Sequence, residues 1–166
     1  NSDLPILSIT QEYGAIPREK INYTVIATEN SIENYKVVEK GDFIISLRSF
    51  QGGIEYSNYQ GICSPAYVIL RKKVMLDDMF FKYYFKSDLY IRHLNINIEG
   101  IRDGKMVSYK QFSEILLPFP SIEEQKKIAA CLNSLDETIK VQSEMIEQFK
   151  QHKKGLMQRL IPKTLD

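Results

Sequence analysis

Leu117-Pro118-Phe119-Pro120-Ser121-Ile122-Glu123-Glu124-Gln125 is the stretch on which the organisation of the chain turns. A proline confines the residue before it to extended backbone, so Phe119 is predicted non-helical. Ser121 and Glu124 then make an S-x-x-E capping box, which satisfies orphan amides at a helix start. Glu123 and Glu124 also suit the positive end of the helix dipole. After Ile122 no proline occurs until Pro162, and the only glycine is Gly155. One helix is therefore expected over about 121–161, roughly 60 Å long at 1.5 Å per residue.

Steps of four and three from Ile128 reach Leu132, Leu135, Ile139, Gln142, Ile146, Phe149, Lys153, Leu156 and Leu160. Eight of these ten positions are apolar, the heptad seam of a helix that packs in a coiled coil. The alternative is an amphipathic helix folded back on its own domain. A domain of this size spans only about 30 Å, so the distal seam calls for another partner.

Upstream the grammar changes. All ten tyrosines and seven of the eight phenylalanines precede residue 121, as do seven of the eight glycines. The expectation is an α+β protein: a mixed, aromatic, turn-rich head at 1–120, then the helix at 121–166. Tyr35–Val38 and Phe43–Leu47 read as strands meeting across Lys40-Gly41-Asp42. Ala66–Leu70 and Ile115–Leu117 read as further strands. Asp77 and Asp78 are placed to cap a helix running to about Leu94, and Ser108 to cap a short turn.

Composition narrows function. Lys plus Arg number 22 and Asp plus Glu 21, a net charge of +1, so the chain is not globally basic. No apolar run approaches bilayer length. Asn1-Ser2-Asp3 shows neither an initiating Met nor a signal segment, which suggests an intracellular fragment or processed piece. Cys63, Cys131, His93 and His152 are scattered, so neither a disulfide scaffold nor a metal site is expected. No phosphate-binding loop, dinucleotide fingerprint or nucleophile elbow occurs, and no catalytic residue is assigned.

Three polar loops interleave basic, amide and aromatic residues. The first holds Gln11 and Arg18; the second Arg48, Ser49 and Gln51, continuing to Tyr56 and Gln60; the third Arg102 and Lys105, followed by Tyr109 and Lys110. Arginine and glutamine can read base edges, lysine holds phosphates, and glycine permits close backbone approach. For any one loop alone a solvated turn is the favoured reading. Together they point towards a polyanion surface.

The segment Leu117–Ala129, with Leu132, Leu135-Asp136, Ile139 and Lys154-Gly155-Leu156-Met157-Gln158, resembles the conserved helical region of type I restriction-modification specificity subunits. Lys40–Ser46, Gly61–Tyr67 and Ile101–Gly104 resemble the target recognition domain of that family. The resemblance covers nearly the whole chain. It implies a prokaryotic, cytoplasmic subunit that reads double-stranded DNA and does no chemistry itself. Cofactors would sit on partners: S-adenosylmethionine on methyltransferase subunits, ATP and Mg on restriction subunits. A full subunit resembles two heads and two helices in tandem on a bipartite site. One copy is present here, implying half of a longer subunit or a half-subunit that pairs with a second copy, with antiparallel helices favoured by the tandem layout. The rival reading is a coiled-coil adaptor whose head binds protein.

The seam yields a direct expectation. Replacing Ile139 and Ile146 with Asp would bury unpartnered carboxylates in any helix pair. Sedimentation should find the wild-type chain self-associated and the double variant monomeric. A wild type that is monomeric at high micromolar concentration would remove the half-subunit reading.

Overall fold

The computed structural model describes residues 4–21, 34–46, 53–96 and 109–161. The chain is α+β, as its sequence predicts. Strands β1 (Leu7–Thr10) and β2 (Gly14–Pro17) form an antiparallel hairpin, followed by a 3-10 turn at Arg18–Lys20. Then come β3 (Lys36–Val38), β4 (Phe43–Ser46), β5 (Glu55–Tyr56), β6 (Gly61–Cys63) and β7 (Tyr67–Leu70). Helices α1 (Asp78–Tyr84), α2 (Asp88–Ile96) and α3 (Tyr109–Ser113) precede α4 (Ile122–Leu160).

β3 and β4 do not form the expected hairpin. β3 pairs with β6, and β4 pairs with β5 on one side and β7 on the other. The register Lys36↔Cys63 continues in step to Phe43↔Tyr56, so β3 and β4 are two halves of one bent strand facing β5 and β6. The bend is Glu39–Asp42. There Gly41 donates to the Ser57 carbonyl and Ser57 donates back to that of Asp42, each at 2.9 Å. Asp42 is 2% exposed. Its carboxylate accepts from Glu39 N at 2.7 Å and from Arg71 Nε and Nη2 at 2.8 and 2.7 Å. A buried carboxylate must be paired and hydrogen-bonded, and this corner is what satisfies it.

Two isolated bridges, Ile6↔Ile62 and Ala15↔Ser57, link the hairpin to β6 and to β5. They join the separate ladders into one curled surface. Its inner face packs Leu7, Ala15, Val38, Ile44 and Cys63. The other face of β4 and β5 is aromatic. Phe43 lies 5.3 Å from the Tyr56 ring and 5.2 Å, edge-on, from that of Phe85, while Phe85 lies 5.0 Å from Tyr90. Apolar cover on both sides explains why Phe43, Ile44 and Ile45 are consecutively buried, without the alternation of a half-exposed strand.

Asp77 caps α1 as predicted, accepting from Phe80 N at 2.9 Å. The helix does not run on to Leu94. It stops at Tyr84, and Ser87 restarts the chain as α2: its Oγ donates to Tyr84 O at 2.7 Å and accepts from Tyr90 N. The Ser87-Asp88 pair is the start signal that the sequence reading passes over. Ile115–Leu117 is not a strand either. Leu116 is 90% exposed, whereas Leu117 and Phe119 line an apolar hollow with Phe81 and Phe85. There the chain makes side-chain contact with α1, the Phe119 ring lying 6.0 Å from that of Phe81, instead of pairing in a ladder. The expected cap at Ser108 lies outside the described residues.

The α4 start agrees with prediction: Ser121 Oγ accepts from Glu124 N at 3.3 Å. Gln125, 1% exposed, adds a second fastening, donating Nε2 to Pro120 O and accepting from Asp77 N, both at 2.9 Å. The chain separates into two compact units, Asn1–Lys126 and Lys127–Asp166. Within the second unit the seam residues Leu135, Ile139, Ile146, Phe149, Leu156 and Leu160 are all exposed. Ile128 is exposed as well.

Arg71→Ala orphans the buried Asp42 carboxylate and should cost about 2–3 kcal/mol in urea unfolding. Lys150→Ala removes only an exposed pair with Glu147 and should change little. Burial pushes the Cys63 thiol up to about 11, so the folded state holds that proton and its thiolate fraction at pH 8 is about a thousandth. A thiol reagent at pH 8 should therefore titrate exposed Cys131 in the native protein and reach Cys63 only on unfolding.

Candidate nucleic-acid interface

The first of the three polar loops is a hairpin. Thr10 Oγ1 accepts from Tyr13 N at 3.0 Å and donates to Gly14 O at 3.2 Å, closing the turn. Gly14 has φ +70°, and a Cβ there would lie 2.6 Å from Tyr56 O, so both backbone conformation and space demand glycine. The hairpin walls two adjoining hollows. The narrower, about 120 Å³, is lined by Thr10, Gln11, Ser46, Gly53 and Glu55, among others. The wider, about 440 Å³, takes in Ser8, Arg18, Ser64 and Ala66 and shares Ile9, Thr10, Ser46 and Tyr67. Gln11 and Arg18, predicted from the same loop, thus stand on the walls of one concave surface. Ser46 and Gly53, which flank segment 47–52, line it too.

The charge at the wider hollow is positive. Arg18 Nε is buried and has no hydrogen-bond partner among the described residues. Burial pushes the Tyr67 phenol up from its ordinary value, and the Arg18 charge partly opposes that shift. Lys36 on β3 donates to Tyr67 O at 2.7 Å. Lys20, two residues after Arg18, donates to Tyr59 Oη at 3.4 Å and sits 4.7 Å from the centre of that ring. Arg18 lines the wider hollow, and its guanidinium charge favours an anionic oxygen there.

The other predicted residues are placed differently. Gln60 is exposed beside Tyr59. Tyr56 is 8% exposed, its ring packed on Phe43, and burial pushes its phenol up. It is a core residue in this fold, because its strand turns that face towards the helices. Tyr109 and Lys110 are exposed on α3, with the Tyr109 ring 6.3 Å from Phe112. Arg48, Ser49, Gln51, Arg102 and Lys105 lie outside the described residues. Sequence reasoning missed Lys20, Lys36, Ser64 and Tyr67. Only Lys20 carried a usable signal, as a second cation two residues after Arg18. Lys36 and Tyr67 meet through a pairing that no local pattern encodes.

Among the described residues no group of three or more His, Cys, Asp or Glu is arranged to hold a metal ion. Among the same residues no helix is long and apolar enough to cross a membrane.

Comparison with known proteins connects these features. The putative type I restriction enzyme MjaX specificity subunit of Methanocaldococcus jannaschii is 27% identical over 161 residues, covering 95% of this chain and 35% of that protein. The type I restriction enzyme MjaVIII specificity subunit of the same organism is 30% identical over 128 residues, covering 76% of this chain and 29% of that protein. The chain therefore spans about a third of the length of these curated relatives. The family model for the type I restriction modification DNA specificity domain matches residues 1–151, taking in the curled sheet, its hollows and most of α4. The chain belongs to the type I restriction modification DNA specificity domain family.

Proposed function

We propose that this chain is one DNA-reading unit of a type I restriction-modification specificity subunit, recognising one part of a bipartite duplex site without catalysis of its own. The observation that carries the reading is the hollow beside the β1–β2 hairpin, whose one charged lining residue is Arg18, in a chain whose family is defined by DNA specificity. Phosphate oxygens satisfy Arg18 and Lys20, fixing the head on the duplex without sequence information. Discrimination comes from amide and guanidinium groups of the loops meeting base edges in the major groove, with Gln11, Arg48, Gln51 and Arg102 as candidates.

α4 serves as spacer and joint. Its 39 residues make a rod of about 58 Å, and the exposed heptad seam pairs with a second such helix, from another copy or from the other half of a longer subunit. The assembled pair directs methyltransferase subunits, which bind S-adenosylmethionine, and restriction subunits, which use ATP and Mg, to the site. The setting is the prokaryotic cytoplasm.

Arg18→Ala tests the electrostatic half of this reading. Removing one cation from a phosphate lowers the slope of log affinity against log salt by about one. Fluorescence anisotropy should show that change on selected and random duplexes alike, with their affinity ratio unchanged. An unaltered salt slope removes Arg18 from the interface. A wild-type chain that binds no duplex at any salt favours the adaptor whose head takes protein.

A further inference from the structure

We propose that Lys86, at the corner between α1 and α2, is a positioning residue that sets the hairpin turn and the lead-in to β5 in one register over the groove. The inference rests on the DNA-recognition reading above. Lys86 Nζ pairs with the carboxylate of Glu55 on β5 and donates to the backbone carbonyl of Gln11 at 3.4 Å. Those contacts join residues 31 and 75 positions away from it, one from each of two recognition segments. Glu55 is 6% exposed and lines the narrower hollow beside Gln11, so its charge requires a cation at that point.

The same corner holds the β5 lead-in a second time. Gly53 has φ +81°, and any side chain there would run into the Phe85 carbonyl oxygen. The corner is itself fastened by Phe85, whose ring packs on Phe43 and Tyr90. The ammonium of Lys86 is therefore a strut from the aromatic corner to both segments, adding a tie at the Gln11 end of the hairpin beyond the Ala15↔Ser57 bridge.

Base readout and phosphate holding respond differently to a loosened strut. A base-edge contact needs its groups within about 0.5 Å of the productive position. Counterion-driven attraction to phosphates tolerates displacement. Losing Lys86 should thus erode discrimination and spare general affinity, whereas a purely stabilising lysine would move the unfolding midpoint and leave the affinity ratio alone.

The test uses the whole chain and a duplex that the wild type selects from a randomised library, with a scrambled duplex as reference. In Lys86→Met the preference for the selected duplex should fall about tenfold or more, the effect of one mismatched pair, while scrambled affinity holds. Lys86→Arg, which keeps a donor able to reach both partners, should retain the preference. Unchanged preference in Lys86→Met, or equal losses on both duplexes, overturns the proposal. Should Lys86→Met not fold, Glu55→Gln decides: preference lost supports the strut, preference kept overturns it. A wild type that treats all duplexes alike overturns the DNA-recognition reading instead, an outcome distinct from a discriminating wild type whose Lys86→Met still discriminates.

Discussion

The carboxylate of Asp42 is the constraint from which the head follows. It lies where the end of β3, the start of β4, the end of β5 and the end of β7 meet. Placing a charge at 2% exposure costs several kcal/mol of lost hydration, which a single contact cannot offset. Three hydrogen bonds do so here, one from the Glu39 amide and two from the planar fork of Arg71. The geometry is demanding, so the corner specifies a unique bend more than it adds net stability. Were the bend to open, β3 and β4 could not both stay in register with β5–β6.

From that bend the two cores separate. Ile44 turns inward to the aliphatic cluster with Leu7, Val38 and Cys63, while Phe43, the adjacent residue, turns outward to Tyr56 and Phe85. Each face is closed by different chemistry. Small and branched side chains fill the tight interior of the curled sheet, and flat rings fill the wider gap to α1 and α2. Fully burying one such side chain is worth about 1.5–3 kcal/mol, so this arrangement of neighbours is strongly held. The hairpin carrying Gln11 and Arg18 rests on the curled sheet through the Ile6↔Ile62 and Ala15↔Ser57 bridges. Its polar groups are consequently presented from a rigid base, which suits recognition better than a free loop would.

Charge placement carries the same logic to function. A net charge of +1 gives no general attraction to a polyanion, so binding must depend on where cations stand. Arg71, Lys72 and Lys86 are engaged by Asp42, Asp78 and Glu55. Arg18 has a buried nitrogen without a partner among the described residues, and Lys20 rests on an aromatic ring. Cations that build the fold are thus distinct from Arg18, which lines the wider hollow, and Lys20, which lies over the Tyr59 ring.

The sequence by itself determined the features whose causes lie within a few residues. Pro118, Pro120 and Ser121 dictate where α4 begins, heptad spacing dictates its apolar seam, and Asp77 dictates the start of α1. The segment around Gln11 read only as a polar loop; its two strands and the Gly14 turn depend on packing against Tyr56. Tertiary structure alone decided the rest. Lys40-Gly41-Asp42 looks like a hairpin turn until Arg71, 29 residues on, claims the Asp42 carboxylate and turns it into a corner. Tyr56 looks like a surface aromatic until Phe43 and the helices take its ring. In each case a short-range pattern permits several outcomes, and burial against residues distant in sequence selects one, because desolvated charges and packed rings tolerate only the partners that satisfy them.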